Sequence, residues 1–454
     1  MLPRLQLTSS QNSPIEFPHR SNGFAATADV PVMDMEMRQK LRMIKDVPLY
    51  GLDMRLIGAA RRRSAQGGGP NNSASLALLL SAPGMAMAGV LLHSMPKVLI
   101  EGIVRRTLGV QLYLPPTHEM ALPNPIYADD GPGTYVAVMA ICGRMGRFLT
   151  KGELGSLCDK IKRYIEAFET WQDCPDPARM TPGQRALLQF ARDVDRTYYP
   201  AAAGGEPVFL SPGRLPKVRC LLAMFEAWRA AATGSKPIAQ APQYVGCAAR
   251  SIAARSRSHA PPLTHPESNY TWWLTMSCLR HMRLAPDVLL IPATRNWEPQ
   301  QLPIGEILVT CLADARVEDG GGFNAGQPGG TTDKIAKDPR DWARDRESAM
   351  ERRSYLTDNL RESDESMQRR ADVLESIPAL SRDLYGLLGD IITLEAEARE
   401  LPDPRSLGDG GAPPGEHPQI AKARLYLDFV EAVKNILGGG GDGASRTALG
   451  HDDG

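Results

Sequence analysis

"TKGELGSLCDKIKRYIEAFETW", Thr150 to Trp171, decides the fold class. Thr150 and Glu153 stand at capping-box spacing, in which a threonine hydroxyl and a glutamate carboxylate each accept from a backbone N–H that a helix start leaves unpaired. Leu154, Leu157, Ile161, Ile165 and Phe168 then recur at steps of three and four, so one face is apolar and the other charged. This predicts an amphipathic helix buried along one side. Thr181-Pro-Gly-Gln184 ahead of "RALLQFARDVDRTYY" and Ser211-Pro-Gly ahead of "RLPKVRCLLAMFEAWRAAA" repeat the device. Strand signals are confined to "VQLYL" at 110–114 and "DVLLIPA" at 287–293, both bounded by proline. The chain is therefore expected to be mainly α and multi-lobed.

With 454 residues, 43% of them apolar, the chain can build several cores. Aromatics are only 6%, while 42 glycines and 37 prolines imply helices separated by many loops. Seven dispersed cysteines without a CxxC pair, and a first twenty residues lacking an apolar core, lead to the expectation of reduced thiols and an intracellular location. Residues 71–96 carry no charge and are largely apolar, yet Pro83-Gly84 divides them. A buried helical hairpin is expected there, and no membrane span.

The organisation read from composition is an extended arm at 1–30, a basic helical lobe at 31–235, and a second lobe of helix and short strands at 236–318. A flexible Gly-rich linker at 319–332, a charged helical arm at 333–402, and a second linker at 403–417 follow. A terminal helix at 418–437 and a disordered tail at 438–454 complete the chain.

Familiar catalytic patterns do not hold together. Tyr127-Ala128-Asp129-Asp130 shares its letters with the metal-binding turn of RNA-copying polymerases, but Pro123-Asn124-Pro125 before it and Gly131-Pro132-Gly133 after it do not form the apolar hairpin that such a turn requires. Ser94-Met-Pro-Lys97 matches SxxK by letters alone. Cys278 and His281 with His259 and His265 lack the second ligand pair of a zinc site. No catalytic residue, metal or cofactor is assigned, and the chain reads as a binding protein rather than an enzyme.

Charge carries the functional expectation. Lys+Arg and Asp+Glu balance at 52 each, but residues 1–266 hold 31 bases and 20 acids, and residues 267–454 hold 21 and 32. Windows 54–100 and 227–266 contain no acid. Arg61, Arg62, Arg63, Arg105, Arg106, Arg144, Arg147, Arg250, Arg255 and Arg257 lie in or between them, and arginine suits bidentate phosphate contact and stacking on unpaired bases. These ten are the candidate nucleic-acid-binding residues. The expected function is sequence-independent binding of RNA or single strands by a self-assembling, nucleoprotein- or capsid-like homo-oligomer. The alternative is a helical scaffold or adaptor that binds another protein through its acidic C-terminal helices. Arginines paired internally with acids would produce the same composition.

Overall fold

The computed structural model describes residues 35–65, 70–127, 130–199, 206–256, 259, 269–330, 338–351 and 354–400. The arm at 1–30, the linker at 403–417, the terminal helix at 418–437 and the tail at 438–454 lie outside the described residues.

The protein is mainly helical. Helices α1 (Met35–Asp46), α2 (Leu49–Ala65), α3 (Pro70–Leu80), α4 (Ala82–His93), α5 (Lys97–Arg105) and α6 (Leu108–Gln111) precede the first strand, β1 (Gly133–Ile141). Helices α7 (Lys151–Asp173), α8 (Pro182–Arg196) and α9 (Leu215–Ala231) follow. The chain continues through β2 (Gln243–Ala248), α10 (Ile252–Ser256), α11 (Tyr270–His281), β3 (Pro286–Arg295) and α12 (Gln301–Ala313), and the described part ends with α13 (Pro339–Glu351) and α14 (Ser354–Glu400). It divides into two units, up to Ser366 and from Met367 onward.

Both expected capping boxes form. Thr150 Oγ1 accepts from Glu153 N at 3.3 Å while Glu153 Oε2 accepts from Thr150 N at 2.9 Å, and Thr181 with Gln184 does the same at the head of α8. Leu154, Leu157, Ile161, Ile165 and Phe168 are all buried, so the face read from spacing is the face that packs. The uncharged stretch becomes α3 and α4, which meet at an 80° bend. Ser81 caps the second helix by accepting from Gly84 N, and a Cβ on Gly84 would strike the Leu78 carbonyl. Among the described residues no single helix is long and apolar enough to cross a membrane.

The sheet has strand order β2-β1-β3, with both pairings antiparallel. β1 is central and wholly buried; Val136 faces Val245 on one side and Ile291 on the other. Helix α12, apolar nearly all round, packs against both β1 and β2 and also against α2, α3, α4 and α5. The segments 31–235 and 236–318, expected as separate lobes, thus share one sheet and one core. Residues 110–114, expected as a strand, belong instead to α6 and the turn after it, because Gln111 N and Leu112 N bond back to Thr107 O and Leu108 O. The expected linker also differs over 319–330. Phe323 is buried, Asn324 Oδ1 accepts from Val245 N at 2.8 Å, and Asn324 Nδ2 donates to Val245 O at 2.7 Å. One side chain thereby satisfies both backbone groups of a residue on β2, and this holds a glycine-rich segment that composition alone marks as free.

Within the first unit, α14 is anchored by its opening turns. Asn359 Nδ2 donates to the carbonyl oxygens of His93 and Met95, both at 2.8 Å, and Lys97 pairs with Glu362 at 2.5 Å. Buried His93 bonds Gly89 O through Nδ1 and Ser363 Oγ through Nε2. Burial lowers the His93 pKa, which favours the neutral ring.

Candidate functional site

Of the ten arginines nine are described, and six of these contact other groups of the fold. Arg63 is drawn inward. Its Nη2 meets Asp314 Oδ1 at 2.7 Å and its Nε meets Asp319 Oδ2 at 3.1 Å. Arg106, at the left-handed end of α5, lies 3.9 Å from Asp314 and stacks 5.8 Å over the Trp228 ring. Arg105 reaches Glu101 at 3.8 Å. Arg144 forms a two-pronged pair with Glu153 at 2.7 Å for each prong, which pulls the Glu153 pKa down to about 2, and Arg147 donates to Pro237 O. The "GRMGRF" segment that carries these two is a tight turn with positive φ at Gly143, Met145 and Gly146. Arg255 lies beside the Tyr135 hydroxyl. Arg61, Arg62 and Arg250 stand exposed, and Arg257 lies outside the described residues.

The partners of Arg63 and Arg106 lie just after α12 rather than in the acidic C-terminal helices. Asp314 has a left-handed conformation, φ 48°, which aspartate tolerates better than most residues. Its carboxylate receives Arg63, Arg106 and the fully buried Lys40, whose ammonium also donates to the carbonyl oxygens of Cys311 and Leu312. Two residues on, Arg316 and Lys217 converge on Glu318. Spacing in the sequence offers no sign of this hub, because α1, α2, α5, α9 and the 314–319 segment meet only in the folded chain.

A second polar cluster lies on the sheet. The Tyr135 hydroxyl and His259 Nε2 are 2.8 Å apart, and Tyr244 and Trp272 pack around the imidazole. Burial, with Arg255 adding to it, pushes the His259 pKa down to about 4, so the ring is neutral. Tyr135, His259 and Trp272 are buried, and the cluster ties β1 to β2. The letter motifs have structural employment. Asp130 caps α10 by accepting from Ser251 Oγ, Ile252 N and Ala253 N, and Ser94 Oγ donates to Leu91 O. Among the described residues no three His, Cys, Asp or Glu side chains are placed to hold a metal.

The second unit presents a different surface. Met367, Leu374, Ile377, Tyr385, Leu388 and Ile392 of α14 are all exposed, Leu374 at 65% and Tyr385 at 71%. At roughly 100° per residue they fall within a face about 80° wide. Between them Arg369, Asp372, Glu375, Arg382 and Asp383 are exposed with both signs. Such a row leaves a long apolar strip in contact with water.

No family model matches the chain, and no curated protein or solved structure matches it significantly.

Proposed function

We propose that the protein is a non-catalytic assembly protein whose α14 helix pairs with the same helix of a second copy. The exposed apolar row of α14 carries this reading. It runs from Met367 to Ile392, about 38 Å along the helix axis. Its heptad-like steps suit helix against helix. The test is the molar mass of the full chain by light scattering across a concentration series. A dimer or higher oligomer is expected, and Leu374→Glu with Leu388→Glu should return it to monomer with helicity unchanged. A monomeric parent at all concentrations would remove the reading.

A second reading, sequence-independent binding of single-stranded RNA, rests on the exposed Arg61, Arg62 and Arg250. It requires affinity for mixed-sequence RNA that falls steeply with salt and weakens when these three become alanine.

A further inference from the structure

The apolar surface of α14 is wider than the row that self-pairing uses. Val373 and Leu387 are exposed too, at 60% and 53%. At roughly 100° per residue both lie off the same side of the row, which widens the apolar face from about 80° to about 160°. Asp372, Glu375, Arg382, Asp383 and Asp390 fall on the opposite side. Two helices that meet along a single seam bury only a narrow stripe, whereas a face this wide suits a helix with two neighbours, as in a helix bundle. Pairing with a second copy along the Met367–Ile392 row would leave Val373 and Leu387 in water.

The chain carries a segment of matching length and chemistry. Residues 419–437, "QIAKARLYLDFVEAVKNIL", stand between Pro418 and Gly438, and Tyr426, Phe429, Val433 and Ile436 recur at steps of three and four while Asp428, Glu431 and Asn435 fall elsewhere in the helical period. As a helix this segment spans about 28 Å, as does Val373–Ile392 on α14. The 18 residues from Leu401 to Pro418 include five prolines and four glycines, which stop a helix and give a connection long enough to turn the chain back alongside α14. Charge agrees as well. Residues 372–392 hold four acids and one base, residues 419–437 two acids and three bases, and an antiparallel return brings the Lys422 and Arg424 end of the segment to the Asp390 end of α14.

We infer that residues 419–437 of the same chain form a helix that docks antiparallel on the Val373 and Leu387 side of α14, so that self-pairing joins two such hairpins into a four-helix bundle. The inference rests on the reading that a second copy takes the Met367–Ile392 row, and its test separates the two. The full chain is followed by hydrogen exchange with mass spectrometry, beside its molar mass by light scattering. Amides of 419–437 should exchange at least about tenfold more slowly than those of an unstructured peptide, at every protein concentration. Val373→Glu with Leu387→Glu should abolish that protection and leave the molar mass of the parent. Phe429→Glu with Val433→Glu, which leaves α14 untouched, should in return speed exchange over 373–392. A monomeric parent that still protects 419–437 would remove self-pairing and keep the docked helix. Three results overturn the inference: 419–437 exchanging at the unstructured rate, protection that survives the two substitutions on α14, or protection lost as dilution separates the copies, which would put the segment on the other chain.

Discussion

Lys40 and Asp314, 274 positions apart, meet at 2.7 Å in the core, and the same ammonium closes the end of α12 by donating to the carbonyl oxygens of Cys311 and Leu312. The pair joins the first described helix to the most buried one. Asp314→Asn keeps the left-handed backbone but leaves Lys40, Arg63 and Arg106 without their shared anion. The expected loss is about 3–5 kcal/mol, the usual cost of stranding a buried charge, read as a lower urea midpoint with an unchanged slope.

The 319–330 segment is held by Asn324 against β2 and should resist limited proteolysis despite its glycines. Asn324→Ala leaves the N–H and C=O of Val245 unpaired. It should lower stability by about 1–3 kcal/mol per unsatisfied group and make this segment the first cleavage site. Equal resistance in parent and variant would mean that the clamp is dispensable.

Asp195 offers a pH test. Burial pushes its carboxyl up to about 7, against the hydrogen bonds it accepts from Tyr164 at 2.5 Å and Val208 N at 3.4 Å. An unfolded aspartate titrates near 3.9. Between these values the folded chain holds a proton that the unfolded chain has lost, so this group's contribution to stability falls as pH rises through the window and levels off above about 7. Asp195→Asn stays neutral throughout. Its stability relative to the parent should therefore grow from pH 5 to pH 7 by at most about 1.4 kcal/mol per unit. Comparing variant with parent cancels the opposite slope from buried His259, and a flat difference would exclude the shift.

Two glycines of one turn should respond unequally to alanine. Gly146 has φ +77°, and a Cβ there would strike the Gly109 carbonyl; Gly143 has φ +79° with open space around it. Gly146→Ala is expected to cost about 1–3 kcal/mol or more and to loosen the contact with α6. Gly143→Ala should cost only about 1 kcal/mol, from backbone conformation alone. Chemical denaturation of both variants checks the ranking.

What could be read in advance was whatever short spacing encodes. Thr150 with Glu153 and Thr181 with Gln184 fixed two helix starts, and the bounded apolar run at 287–293 proved to be the heart of β3. β1 gave no strand signal of its own, because a strand buried on both faces has no alternation to separate it from a buried helix. β2, short and with glycine at Gly246, carries almost no strand signal. Arg63 and Arg106 stood out as basic residues, but Asp314, which neutralises both, is an isolated acid whose role exists only in three dimensions. The exposed apolar residues of α14 on either side of Pro378 share one face only because the helix runs unbroken through that proline, which in a sequence reads as a helix end.

The placement of β1 between two later strands also sets a timetable for biosynthesis. The ribosome completes this apolar strand at Ile141, yet neither neighbour exists until Gln243 and Pro286 have been added. At about 5–20 residues per second the nascent chain carries an adhesive ribbon, open on both edges, for several seconds or longer. During that interval every backbone donor and acceptor on it can pair with another emerging chain.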